Sequence, residues 1–296
     1  MPTRSSAPRT LARRADKYSL YLASVQAPDY DVRFFTRVYR AEHGVVPKLL
    51  REDFSGTAAI CCEWTKLGLD HVAYGVDLDP VPLEWGRAHN LSKLSPHQRA
   101  RVQLVEADVR DPGTPKVDVI AALNFSYCCF KTRTDLREYF TRARRSLRPG
   151  GLLVVDLLGG YEVFEDERED VTEHDGFDYV WEQASFDPIT HHAVFHIHFR
   201  FRDGSELQRA FTYDWRLWTI PEVSEVMIEA GFAGADVYWE GTDHATGDGD
   251  GVYRKRTRGE ADASWNAYIV GRAGSSARIQ GRRDPIRGRA HGDARR

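Results

Sequence analysis

From residue 48 to residue 158 short apolar runs alternate with stretches of helical periodicity. A parallel sheet demands that alternation, because each strand buried on both faces must be followed by a crossover helix that covers it. Five strands are expected, at 48–51, 72–76, 102–106, 117–123 and 152–158. Before the fifth, Leu136, Tyr139, Phe140, Ala143 and Leu147 fall on one helical face, which Pro149-Gly150-Gly151 ends. Upstream, residues 15–46 read as a helical lead-in, with Leu20, Tyr21, Val25, Phe34, Phe35 and Val38 on apolar faces interrupted at Pro28.

The period changes to two over 179–186, 193–201 and 206–215, with Asp187-Pro188 and Asp203-Gly204 between the runs. That pattern predicts an antiparallel meander inserted at about 161–216 as a lid. The acidic run from Glu162 to Asp178 reads as a solvated loop, with attraction of a cationic acceptor as the alternative. Thr219-Ile220-Pro221-Glu222 then forms a capping box, Val223, Val226, Met227 and Ala230 make an apolar stripe, and Gly231 stops the helix. Strands at 235–239 and 265–270 return the chain to its sheet. The expected fold class is α/β, with one domain over residues 15–272 and tails at 1–14 and 273–296.

Charge is unevenly placed. The net −3 divides into +4 for residues 1–14, +6 for residues 271–296 and −13 for the rest. An acidic body does not displace phosphate counterions, so nucleic acid is expected as a partner only through the basic tails, themselves expected to be disordered. The adjacent pairs Cys61-Cys62 and Cys128-Cys129 lack zinc and redox spacing and read as reduced thiols of the core, so no metal is expected. No run of about 18 apolar residues and no apolar leader block is present, which makes a cytoplasmic protein without membrane contact the expectation, with the Arg-rich start as a weaker mitochondrial signal.

In an open parallel sheet ligands lie over the carboxyl ends of the strands, where strand order reverses. The first strand runs into Glu52-Asp53-Phe54-Ser55-Gly56-Thr57-Ala58, a tight turn into a helix in which Gly56 permits close backbone approach. The second ends at Gly75-Val76-Asp77-Leu78-Asp79-Pro80, where Asp77 is placed to accept from ribose hydroxyls. The third ends at Glu106-Ala107-Asp108-Val109, with Asp108 placed for an adenine amino group, and the fourth at Leu123-Asn124-Phe125-Ser126-Tyr127.

Together these motifs, with Leu147-Arg148-Pro149-Gly150-Gly151 and Glu-Ala-Gly-Phe at 229–232, resemble the class I S-adenosylmethionine-dependent methyltransferases over 48–158 and again over 219–272. The resemblance implies a Rossmann-like methyltransferase fold with an antiparallel last strand, S-adenosyl-L-methionine as cofactor, and a cofactor site of Glu52, Gly56, Asp77, Leu78, Asp108, Val109 and Asn124. It places Glu52 near the methionine amino group. One departure is clear: the family has three alternating glycines in the first loop, where this chain has Phe54, Gly56 and Ala58.

Methyl transfer from a sulfonium is an in-line displacement whose main demand is alignment. Asn124 and Tyr127 share the spacing of the Asn-Pro-Pro-Tyr motif of certain amino-group methyltransferases and are the candidate catalytic residues, orienting an N- or O-nucleophile; ordinary pocket lining is the alternative. His196 and His198 alternate with Phe195, Ile197 and Phe199, so they share a strand face, as a polar face, as acceptor contacts or a base, or, lacking a nearby third ligand, less readily as a metal pair. Asp214-Trp215-Arg216-Leu217-Trp218 lines either an acceptor pocket or core. A small-molecule acceptor is expected. The other readings are an RNA or protein methyltransferase gripping through its basic tails, a methyltransferase-like binding module without activity, and, last, a nicotinamide dehydrogenase, whose usual Gly-x-Gly-x-x-Gly is absent.

Overall fold

The computed structural model describes residues 10–242 and 249–274. The chain opens with α1 (Leu11–Arg14), α2 (Lys17–Ser24) and α3 (Pro28–His43), and continues as β1 (Leu49–Asp53), α4 (Ala59–Trp64), β2 (Val72–Asp77), α5 (Pro80–His89), α6 (Pro96–Arg99) and β3 (Val102–Glu106). Then come β4 (Val117–Ala122), α7 (Arg133–Ser146), β5 (Leu147–Gly159), the lid strands β6 (Arg168–His174), β7 (Phe177–Phe186), β8 (His192–Phe201) and β9 (Glu206–Arg216), and finally α8 (Ile220–Glu229), β10 (Gly234–Thr242), β11 (Gly249–Lys255) and β12 (Trp265–Arg272).

The main sheet has the order β3-β2-β1-β4-β5-β12-β10-β11. The strands from β1 to β5 pair in parallel, while β12 is antiparallel to both β5 and β10. From β1 the chain steps outward through β2 to β3, then returns to β4 on the other side of β1. Order therefore reverses between β1 and β4, and a crevice opens above their carboxyl ends.

Helices cover both faces. Leu136, Tyr139 and Phe140 of α7 pack with Val223, Val226 and Met227 of α8 against Ile120, Leu153 and Val155. On the other face Phe34 and Phe35 of α3 and Ile60 and Trp64 of α4 meet Leu50, Val119 and Val154. Pro28 starts α3 instead of breaking a longer helix, since its missing N–H falls where no intrahelical partner exists. The capping box at Thr219 and Glu222 is formed, with Pro221 in the first turn of α8.

The second sheet, β6-β7-β8-β9, is antiparallel and forms the lid. Its first strand and the Tyr161–Phe164 turn occupy the acidic stretch read as a solvated loop. The acids in β6 point to water from an edge strand, so they conflict with neither pairing nor burial. Strand β11, absent from the sequence expectation, extends the main sheet beyond β10. Within the stretch read as an N-terminal tail, α1 is a helical turn docked on the β8–β9 hairpin: Leu11 N donates to Asp203 Oδ2 and Ala12 N to Ser205 Oγ. The expected C-terminal tail beyond residue 274 lies outside the described residues. No helix among the described residues is long and apolar enough to cross a membrane.

Candidate cofactor and acceptor site

The turn after β1 lies at the floor of the crevice. Phe54, Gly56 and Ala58 take φ values of 57°, 50° and 55°, so the three positions where the resembled family carries glycine are all left-handed here, two of them without a glycine. Each such non-glycine residue costs about 1–2 kcal/mol of backbone strain, which surrounding contacts must offset. The ring of Phe54 packs on Phe130 and Tyr139. Beneath it, fully buried Arg51 pairs with Asp53 at 2.7 Å, and the Tyr139 hydroxyl donates to Asp53 at 2.9 Å. Glycine is needed beside this turn at 86: a Cβ there would lie 2.5 Å from the Thr57 carbonyl oxygen, so α5 rides directly on the turn.

Asp77, at the tip of β2, accepts from Gly56 N at 2.7 Å and from Asp79 N at 2.9 Å. Burial pushes its carboxyl above the usual range, against the pull of these two N–H groups. Asp79 caps α5 by accepting from Val81 N. Asp108 follows β3 one strand away, where Ala107 N donates to the Asp77 carbonyl. Its carboxylate is engaged by the Arg110 guanidinium at 2.6 Å, which holds its pKa below the ordinary value. Leu78 is exposed and Val109 buried in the core. Glu52 is turned into the protein: its Oε2 accepts from Cys61 N at the start of α4, and burial pushes the carboxyl up to about 8.

The turn after β4 is tighter. Asn124 and Phe125 both have positive φ, 57° and 56°. One carboxylate holds them: Asp156 of β5 accepts from Asn124 N at 2.8 Å and from Phe125 N at 2.9 Å. The reversal sends Tyr127 inward. It is fully buried against Phe140, and its hydroxyl has no partner among the described residues. The sequence expectation for Tyr127 as an acceptor-orienting residue therefore gives way to a core position.

Three cavities meet at Asn124, the one described residue that borders all of them. The first, about 330 Å³, runs over the tips of β1 and β2, past Ser55, Gly56, Asp77 and Asp79, and is roofed by Tyr18 and Tyr21 of α2 with Trp215 of β9. Cys129 also borders it and is exposed, unlike the buried Cys61, Cys62 and Cys128, so the reading of both pairs as core thiols fails at this residue. The second, about 400 Å³, lies under the lid and is walled by Tyr179, Trp181, Gln183, Tyr213 and Trp215. The third, about 320 Å³, reaches between β4, β5, β12 and the start of α3.

Of the sequence-predicted residues, the structure brings Gly56, Asp77 and Asn124 onto one cavity wall. Glu52, Leu78, Asp108, Val109 and Tyr127 do not border it. The lid presents its aromatic face to the chamber: register places Trp181 opposite Ile197, and Phe195 opposite Tyr213. His196 and His198 lie on the other face, bonded to Thr212 at 2.9 Å and to Glu182 at 2.7 Å, so the acceptor-contact reading gives way to the polar-face one. Trp215 borders the chamber, while Leu217 and Trp218 border a separate apolar cavity of about 450 Å³ near the lid's return to the sheet.

A family model described as a methyltransferase domain matches residues 54–155. The fold is that of the class I S-adenosylmethionine-dependent methyltransferases. Solved structures repeat this architecture over most of the chain's length. An S-adenosylmethionine-dependent methyltransferase of Clostridium acetobutylicum is 16% identical with a TM-score of 0.62, over 87% of this chain and 98% of that one. An amino pentose methyltransferase of Micromonospora echinaspora is 18% identical with a TM-score of 0.60, over 86% and 95%. A sugar N-methyltransferase of Streptoalloteichus is 19% identical with a TM-score of 0.59, over 93% and 98%. A search of curated protein sequences found no match.

Proposed function

We propose that this methyltransferase passes the methyl group of S-adenosylmethionine to a nitrogen or oxygen nucleophile of a small molecule held beneath the β lid. The observation that carries the reading is the position of Asn124, at the junction between the cavity over the first two strand tips and the aromatic chamber under the lid. The pocket suits the cofactor on its own geometry: Asp77 offers a carboxylate at the wall, and the space beside Gly56 is open where a Cβ would lie. When bound, the cofactor supplies a methyl carbon on a sulfonium, already activated for displacement.

The chain's own residues bind and align. Asp77 would accept from ribose hydroxyls, and the left-handed turn at 54–58 lets backbone lie close to the ligand. Asn124, fixed by Asp156, orients the nucleophile at the junction, and the lid rings exclude water. The amino sugar acceptors named for two of the structural neighbours support a small polar acceptor.

Calorimetry with S-adenosylmethionine and S-adenosylhomocysteine tests the cofactor site. Micromolar binding is expected, weakened about 100-fold by Asp77→Ala, on the basis of about 1.5–3 kcal/mol for a hydrogen bond to a charged group. Absence of heat with either ligand would point to a binding module of another kind. Mass spectrometry of a metabolite extract incubated with methyl-labelled cofactor then identifies the acceptor.

A further inference from the structure

The cavity of about 320 Å³ between β4, β5, β12 and α3 is unlike the other two, because two carboxylates from different elements face into it: Asp31 from the first turns of α3 and Asp156 from β5. Asp31 is only 8% exposed. One of its oxygens accepts from the Tyr268 hydroxyl at 3.1 Å, and the other accepts from no described residue. Asp156 spends its oxygens on the backbone of Asn124 and Phe125, yet carboxylate oxygens have further lone pairs to offer. Gln26 borders the same cavity, and its Oε1 is enclosed without a donor. Tyr30, Tyr179 and Tyr253 complete the wall with rings whose faces attract cations.

The enclosed Gln26 amide oxygen is costly without a donor unless something with N–H groups reaches it, and the free Asp31 oxygen lines the same cavity, open to that partner. The described wall brings no lysine or arginine to do so. We infer that this cavity is a cation subsite that receives a protonated amine, held by Asp31 and Asp156 with Gln26 as an additional acceptor. Burial pushes both carboxyls up to about 7, so each gives up part of its charge when the cavity is empty, and an arriving ammonium restores it.

The inference rests on the methyl-transfer reading for its choice of ligand. Two amines come from that reaction, the α-ammonium of the cofactor and the ammonium of an acceptor. Glu52, the acid that family resemblance places near the first of these, is occupied at the start of α4, and Asp31 and Asp156 are the acids on the described wall of this third cavity.

Calorimetry on the full chain separates the two sources, using wild type and Asp31→Asn with S-adenosylhomocysteine, with 5′-methylthioadenosine, which lacks the amino-acid arm, and with methylammonium against methanol. Binding of S-adenosylhomocysteine weakened at least tenfold by Asp31→Asn, with 5′-methylthioadenosine unchanged, assigns the subsite to the cofactor. Unchanged nucleoside binding together with methylammonium bound at least tenfold more tightly than methanol by wild type, a preference lost in Asp31→Asn, assigns it to the acceptor. Neither change overturns the inference. The methylammonium and methanol arms need no variant and are run with and without S-adenosylhomocysteine, so they still decide the matter if Asp31→Asn does not fold. Failure of wild type to bind any adenosyl ligand would instead remove the methyl-transfer reading and leave the cation measurement standing.

Discussion

The turn after β1 and the turn after β4 both hold non-glycine residues in left-handed backbone, Phe54 and Ala58 in one, Asn124 and Phe125 in the other. They are secured differently. Around the first the contacts are spread out: Asp77 takes the Gly56 N–H, Gly86 lets α5 press on Thr57, and Phe54 packs on two rings. Around the second a single carboxylate, Asp156, takes both N–H groups. The fold of the first turn is therefore expected to tolerate single substitutions, whatever they do to binding, whereas the second turn depends on one side chain.

The sharpest way to break this contrast is Asp156→Ala. It strands two N–H groups at about 1–3 kcal/mol each, so a stability loss of about 3 kcal/mol and a Tm lower by roughly 6–10 °C are expected. Calorimetry on the same variant should show 5′-methylthioadenosine, which has no amino-acid arm to reach Asp156, still bound; loss of that binding would mean the two turns are one unit.

Next in size is Trp181→Ala, which opens the lid chamber without touching the cavity over β1 and β2. Once the acceptor is identified, its KM should rise about tenfold while cofactor affinity stays within about twofold.

The third prediction concerns pH. Glu52 holds its proton to about 8 in the fold, but to about 4.5 when unfolded. Native protein then binds more protons than unfolded chain across that window, so stability is complete below the lower value and declines as pH rises through the upper one. Asp31 and Asp156 add to the same slope between about 4 and 7. Denaturant titrations from pH 5 to pH 8 should show the decline, and Glu52→Gln should flatten it by roughly 1 kcal/mol per pH unit. An unchanged slope would show that Glu52 is ionised in the fold.

The smallest effect is Ala58→Gly. Relief of left-handed strain should exceed the entropy cost of glycine and raise stability by about 0.5–1 kcal/mol, read as a small rise in denaturation midpoint.

The parallel half of the fold was legible because buried strands are continuous apolar runs, and the acids at their tips interrupt those runs at regular places. Asp77 could be found that way. Asp156 could not, since it is a single acid inside the apolar run of β5, and only the left-handed turn on the neighbouring strand shows what it does. Asp31 was hidden in a helix whose acids read as an ordinary acidic first turn. Strand β6 was missed because its residues are charged and mostly exposed, leaving no alternation to detect. Tyr127 misled in the opposite direction: its spacing from Asn124 fits a motif, but two consecutive positive φ values turn the chain so that the ring enters the core.

Helix α2 has no fully buried residue of its own, and the partners of Leu20, Tyr21 and Val25 include Ile197, Phe199 and Phe211 on the lid, some 180 residues later in the chain. Asp16 fastens the same helix to α5 by accepting from Trp85 Nε1 at 2.7 Å. So distant a pairing must wait for the β7–β9 meander to form, and short isolated helices are unstable in water. The roof of the first cavity is thus expected to settle only once the lid strands it packs on are in place, so a lid substitution can loosen a pocket wall that lies far from it in sequence.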